Sequence, residues 1–269
     1  MSSVLLPPSS LGTVSTSEND TTSFIVALSG PTSSGKTTIA TALTSIFPVS
    51  TIHIIHADDF YKSDSKIPIH STGVQDWDCA EALDLIKFRQ TLLNVRAGAT
   101  VPDQVVKQGA VQDHVDTALS SLDKDLIENL SSGVASWPAA LAERRVIIVE
   151  GFLLFGQGVQ QQLSDLFDLK ILLRSTREAA QRRRASRNGY VTLEGFWQDP
   201  EGYFEDVVWP NYEAEHAFLF DNGDVEGEVK RSEDGLEKDN VMVGPLDHTS
   251  LEELCQWVLK CINIGLERQ

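Results

Sequence analysis

The chain is short of positive charge: 22 Lys and Arg stand against 39 Asp and Glu, a formal net charge of −17 over 269 residues. A surface this acidic repels nucleic acid and anionic membranes, so neither is expected as a partner, and any phosphate site has to be local and electropositive. Cysteine is scarce as well. Cys79, Cys255 and Cys261 form no CxxC pair and leave an odd one out, which argues against a disulfide scaffold or a zinc site and suits a reducing compartment. No segment approaches the roughly 20 apolar residues needed to cross a bilayer. The apolar run Val4-Leu5-Leu6 has no basic flank and is too short for a signal peptide. A soluble cytoplasmic or nuclear protein is therefore expected. His53, His56, His70, His114, His216 and His248 are scattered without metal-ligand spacing and receive no role, and no internal repeat is visible.

What is present begins at Phe24. Residues 1–22, rich in Ser, Thr, Pro and Asn without periodicity, are expected to be a disordered tail. Residues 23–269 then form a single domain, with surface insertions at about 97–143 and 221–240. Phe24-Ile25-Val26-Ala27-Leu28 is the continuous apolar run of a strand buried on both faces. Further strands are expected at Thr51–Ile55, Arg145–Val149, Leu169–Leu173 and Val241–Val243. Helical spacing predicts helices from Lys36 to Phe47, from Glu81 to Val95 through Leu85, Phe88 and Leu92, and weakly from His114 to Leu130. An arginine-rich helix is expected from Thr176 to Arg187, and a last one carries Leu251, Leu254, Cys255, Val258 and Ile262, with Ser250 and Glu253 spaced as its capping box. Buried strands alternating with helices predict an α/β fold: a doubly wound parallel sheet of about five strands, with a mobile helical lid around residues 182–190. Ligands in such folds sit beyond the carboxyl ends of the strands.

The chemistry-bearing residues stand at those ends. Gly30-Pro31-Thr32-Ser33-Ser34-Gly35-Lys36-Thr37 matches GxxxxGK[ST] between a strand and a helix. Its glycines let backbone N–H groups converge on phosphate oxygens at the positive end of the helix. Lys36 can reach the β- and γ-phosphates, and the Thr37 hydroxyl is placed to ligate magnesium. After the second strand come Asp58 and Asp59, and a carboxylate there can take the proton of an attacking hydroxyl. Spacing does not choose between the two, and either can instead cap a helix beginning at Phe60. Glu150, directly after an apolar strand, stands where an acid holds magnesium or its water shell.

Six of the 22 basic residues fall in one stretch, Arg174, Arg177, Arg182, Arg183, Arg184 and Arg187. The acidic background disfavours a nucleic-acid patch, so guanidinium groups closing over phosphates fit better. On a helix Arg183 and Arg187 share a face while residues 182 to 184 fan out, so not all of them can serve one site. Trp77 lies between Asp76 and Asp78, which predicts a polar segment outside the core and a stacking face beside an acceptor for ribose hydroxyls.

In order, Gly30 to Thr38, Asp58-Asp59-Phe60-Tyr61, Trp77-Asp78 ahead of Glu81-Ala82-Leu83, Ile148 to Phe155, Arg182-Arg183-Arg184, and Gly202-Tyr203-Phe204 ahead of Val208-Trp209-Pro210 form a set. It resembles the P-loop nucleoside kinases of the uridine kinase-like group, and among them the nicotinamide riboside kinases, over roughly residues 24–95 and 145–263. The resemblance implies ATP-dependent, magnesium-assisted phosphorylation of the 5′-hydroxyl of nicotinamide riboside, with nicotinic acid riboside also accepted, feeding NAD synthesis. It implies that Gly30, Thr32, Ser33, Ser34, Gly35, Lys36, Thr37 and Thr38 hold ATP, with Arg183 and Arg187 as lid residues over the triphosphate. Lys36 and Asp58 would be catalytic, Asp58 as the general base. Asp78 and Arg184 would grip the 2′- and 3′-hydroxyls, Trp77 and Tyr190 would wall the base with Phe60 and Tyr61 nearby, and Thr37 and Glu150 would hold magnesium.

A pyridinium base suits such a pocket, since aromatic faces attract a cation by about 0.5–2 kcal/mol and an acidic protein steers it inward. A uridine/cytidine kinase shares every phosphate-side residue and is the alternative enzyme. A nucleotide-dependent switch or binding module is the alternative of another class. A guanine-binding switch usually carries an Asn/Thr-Lys-x-Asp motif, which the sequence lacks, and the switch leaves Asp58, Trp77 and Asp78 unexplained.

Overall fold

Every residue of β1 (Phe24–Ser29) is buried, as its unbroken apolar run predicts. In the computed structural model β1 is the central strand of a five-stranded sheet, and residues 23–48, 51–102, 124–138, 144–187, 189–231, 241–246 and 250–268 are described. The expected tail at 1–22 lies outside those residues, as do 103–123, 139–143 and 232–240 of the expected insertions. The neighbours of β1 are β3 (Val146–Glu150) and β4 (Leu169–Leu172). Beyond them lie β2 (Ile52–His56) on one edge and β7 (Val241–Val243) on the other, and every pairing is parallel. A separate antiparallel hairpin joins β5 (Tyr190–Val191) to β6 (Phe196–Trp197).

Side chains alternate across the sheet with the two-residue period of a strand. Phe24, Val26, Leu28, Ile148 and Ile171 face α1 (Lys36–Ile46) and α7 (Leu251–Glu267). Ile25, Ala27, Ile147 and Val149 face the opposite layer, which holds α2 (Leu85–Arg96), α4 (Gln157–Leu163) and α6 (Trp209–His216). Two apolar layers on one parallel sheet are the doubly wound architecture that the sequence predicts. The Ser250 hydroxyl accepts from the Glu253 N–H at 3.1 Å, so the expected cap of α7 is in place. α2 starts at Leu85, later than expected, because the Asp84 side chain caps it and residues 80–82 form a separate turn.

Each expected insertion is partly described, and each is anchored to the domain by a buried side chain. The helix expected weakly from His114 to Leu130 is observed, among the described residues, as α3 from Lys124 to Ala135, exposed along much of its length. Val134 is buried and the Trp137 ring meets Phe47 edge-on at 5.7 Å, so this segment packs on the apolar side of α1. In the acidic loop Val225 is buried, and the Arg174 guanidinium donates to the Gly227 carbonyl at 2.6 Å. No helix among the described residues is long and apolar enough to cross a membrane.

The carboxyl ends of β2 and β3 approach closely. A Cβ on Gly151, the residue after β3, would lie 2.5 Å from the Ala57 Cβ, which follows β2. The Gly151→Ala chain is expected to lose about 1–3 kcal/mol of stability through this overpacking. A urea midpoint equal to that of the parent chain would show that the two strand ends separate freely.

Candidate active site

The loop after β1 is held in conformations that its sequence makes possible. Gly30 has φ +151° and a Cβ there would lie 2.6 Å from the Leu173 carbonyl oxygen, while Gly35 has φ +96°. Side chains rarely adopt these angles, so glycine is required at both places. Ser33 alone takes a left-handed φ of 57° with a side chain. α1 begins at Lys36 with no side-chain cap, which leaves its first N–H groups to the loop. Lys36 is buried and its ammonium donates to the Gly30 and Pro31 carbonyls at 3.0 and 2.8 Å. Burial pulls its pKa down to about 8; Glu150 opposes this, and Arg187 adds to it. The hydroxyls of Ser33 and Ser34 are buried without a partner. A curled loop with a buried ammonium, uncapped helix amides and unpaired hydroxyls fits a triphosphate.

Thr32, Ser33, Gly35, Lys36, Thr37 and Thr38 line a cleft; Gly30 and Ser34 shape the loop from behind. Thr37 Oγ1 donates to Glu150 Oε1 at 3.0 Å. His56 Nδ1 meets the same oxygen at 2.7 Å, and both partners are buried. Burial works to raise the Glu150 carboxyl, but the His56 hydrogen bond and charge outweigh it and hold the pKa below its ordinary value. For His56 burial works downward, and Glu150 reverses the sign to leave its pKa raised. A hydroxyl and an acid at the mouth of the phosphate loop suit magnesium, which takes few protein ligands and completes its shell with water and phosphate. His56 had no role in the sequence reading. The signal lay in register, because the last residues of β2 and β3, His56 and Glu150, are directly paired.

Asp58 and Asp59 lie inside a tight turn, Ala57–Phe60, and so do not cap a helix at Phe60. The structure separates them: Asp58 lines the cleft, whereas Asp59 does not. Asp58 is solvent-accessible at the cleft, where the protein around it takes away part of its water. That desolvation, and then the Glu150 charge, push its pKa up to about 6, against the pull of His56 and Lys36.

Past Asp58 the cleft is walled by Tyr61, Trp77, Asp78, Arg184, Tyr190 and Trp197. Arg184 sits at the end of α5 (Arg177–Ala185), buried, and binds two carboxylates in bidentate fashion. It meets Asp78 at 3.1 and 3.2 Å and Asp199 at 2.6 and 3.1 Å, and also donates to Thr32 Oγ1 at 3.2 Å. Burial raises the Asp78 pKa, and the Arg184 charge works against that rise. The guanidinium lies 5.0 Å from the Tyr190 ring centre, and that of Arg187 lies at 5.7 Å. The arginines fan out as expected. Arg182 is exposed, Arg183 turns toward the Ser33 carbonyl at 3.5 Å without entering the cleft wall, and Arg187 lines the cleft.

Three expectations need correction here. Phe60 does not reach the cleft, because it stacks on Phe88 at 4.2 Å inside the core. Trp77 does line the cleft, but the Asp76-Trp77-Asp78 segment is buried, each residue 7% exposed or less. Its carboxylates are satisfied internally, Asp76 by Asn211 at 3.0 Å and Asp78 by Arg184, so burial costs little. Lastly, the helical lid continues into the β5–β6 hairpin, which brings Trp197 to the cleft and leads into Asp199. Neither Trp197 nor Asp199 stood out in the sequence, because strands of two residues leave no periodicity to read.

Comparison with known proteins agrees with this geometry. Residues 25–190 match the model of the Phosphoribulokinase / Uridine kinase family. The chain is 35% identical to the nicotinamide riboside kinase of Schizosaccharomyces pombe, over 91% of this chain and 98% of the relative. It is 39% identical to that of Saccharomyces cerevisiae, over 76% of this chain and 82% of the relative. Human nicotinamide riboside kinase 2 is 30% identical over 74% of this chain and 70% of its own length. The chain belongs to the phosphoribulokinase / uridine kinase family and, within it, to the nicotinamide riboside kinases.

Proposed function

We propose that the chain transfers the γ-phosphoryl of ATP to the 5′-hydroxyl of nicotinamide riboside, giving nicotinamide mononucleotide for NAD synthesis. Nicotinic acid riboside is a second acceptor in this reading. The observation that carries it is a cleft that has the phosphate loop, Asp58 and the Asp78–Arg184 pair together on its walls. The names of the yeast relatives supply the base.

The steps follow from the side chains. Loop amides and Lys36 hold the β- and γ-phosphates, and Arg187 and Arg183 meet charge from the lid side. Asp78 and Arg184 orient the ribose so that its 5′-hydroxyl faces Asp58. Asp58 takes the hydroxyl proton, the oxygen forms a bond to the γ-phosphorus, and the bond to the β–γ bridging oxygen breaks, releasing ADP. Thr37 and Glu150 would hold magnesium, which when bound neutralises charge on the phosphate oxygens. Trp77 and Tyr190 flank the base, and Tyr61 packs on the Trp77 edge at 5.4 Å. A uridine kinase would use the same phosphate side. The base separates the two, since a pyridinium gains cation–π attraction from these rings and a pyrimidine gains only stacking.

Two outcomes test this reading. With both acceptors assayed side by side, kcat/KM is expected to favour nicotinamide riboside; a tenfold or better preference for uridine rejects the assignment. Asp58→Ala is expected to lower turnover on the order of 10²–10⁴-fold while ATP still binds. In the parent enzyme the base works deprotonated, so kcat/KM is expected to be flat above pH 7 and to fall as the pH drops through about 6. A near-normal Asp58→Ala rate, or a profile without that acid limb, removes Asp58 from the role.

A further inference from the structure

The β5–β6 hairpin borders the cleft and brings both of its strands to it. In its register Tyr190 pairs with Trp197 and Val191 with Phe196. Cross-strand partners share a face. Tyr190, Val191 and Trp197 line the cleft, whereas Phe196 does not and is 58% exposed. Gly189, at φ +114°, makes the turn into this pair, and a Cβ there would lie 2.6 Å from the Trp197 carbonyl oxygen. The hairpin tip is tied across the cleft mouth, where Thr192 Oγ1 donates to Asp64 Oδ2 at 2.8 Å.

Within the cleft the Trp197 ring continues an aromatic row. Its centre lies 5.9 Å from Trp77 and 5.4 Å from Tyr203, and Trp77 in turn meets Tyr61 at 5.4 Å. The ring is held in place from behind. Trp197 Nε1 donates to Asp199 Oδ1 at 3.0 Å, and that carboxylate also grips Arg184, the partner of Asp78. One acid therefore fixes both an aromatic face and the group assigned to the ribose hydroxyls.

We propose that Trp197 is a further specificity-determining residue: it forms an aromatic wall of the base pocket that favours a cationic base, with Asp199 as its positioning residue. The proposal rests on the acceptor reading given above. An electron-rich face with a carboxylate beside it favours a positively charged ring over a neutral one of the same size.

Steady-state kinetics of the full chain, with nicotinamide riboside and uridine as acceptors, test it. Trp197→Ala is expected to raise KM for nicotinamide riboside by about three- to thirtyfold. KM for ATP should stay within about twofold, and the kcat/KM ratio of nicotinamide riboside to uridine should fall. Trp197→Phe keeps a ring without the N–H and should retain most of the preference, which a purely structural link through Asp199 would not. If the alanine variant fails to fold, Trp197→Leu supplies apolar bulk without a π face. An unchanged acceptor KM, or equal losses with both acceptors, overturns the proposal. A parent enzyme that prefers uridine overturns the acceptor reading instead. Trp197 then remains a wall if its alanine variant raises the uridine KM, and is excluded if it does not.

Discussion

One carboxylate oxygen ties together the ends of three strands. Glu150 Oε1 closes β3 and receives both Thr37, in the first turn of α1 after β1 and its loop, and His56, the last residue of β2. In a parallel sheet these ends emerge on one side, and three polar groups in so dry a place need one another. The shifts agree with a real pair, the acid's pKa lowered and the histidine's raised. Removing one partner of a buried pair typically costs about 3–5 kcal/mol, because the other charge is left unmatched. The catalytic side of the cleft depends on this knot. Asp58 is two residues beyond His56, and the first turn of α1 is pinned at Thr37.

The acidic composition takes on meaning beside that geometry. In the proposed reaction a chain of net charge −17 has to bind a polyanion, and the positive charge on the cleft wall comes from Lys36 and a short arginine-bearing segment. Elsewhere in the cleft Asp58 adds negative charge, and the carboxylates of Asp78 and Asp199 bracket the buried guanidinium of Arg184. Opposite demands are thus met a few residues apart: positive charge where phosphates bind, carboxylates and ring faces where a cationic acceptor is proposed.

How much of this was legible follows from how local each feature is. The phosphate loop, Asp58 and Glu150 were readable because each is a short string beside an apolar run, and a buried strand announces itself in five residues. The His56–Glu150 pair was not, since it depends on the register of strands 90 residues apart in sequence. Trp77 was placed in the right cleft for a wrong reason. Its flanking acids suggested solvent, whereas Asn211 and Arg184 satisfy them from distant elements and let the segment be buried. Phe60 failed in the opposite way: adjacency to the acids suggested the pocket, but the turn aims its ring at Phe88. Trp197 ends a two-residue strand and Asp199 follows it, too short a stretch for pattern, and only the folded hairpin brings the indole to the cleft beside Asp199.

Arg184 links the two halves of the cleft, and its donors are fully used. A guanidinium has five N–H groups. Here Nε goes to Asp199, Nη1 to Thr32 and Asp78, and Nη2 to Asp78 and Asp199. A ribose hydroxyl that accepts from Arg184 therefore has to displace one of these bonds. Four of them join opposite charges and are the strong kind; the bond to the Thr32 hydroxyl, at 3.2 Å, joins a charge to a neutral group and is the least costly to give up. Thr32 belongs to the phosphate loop and itself lines the cleft. Displacing it would free its hydroxyl toward the phosphates at the moment the acceptor is seated. In the proposed reaction the residue that would orient the acceptor thereby touches the loop that would hold the donor, and one side chain couples the two substrate sites.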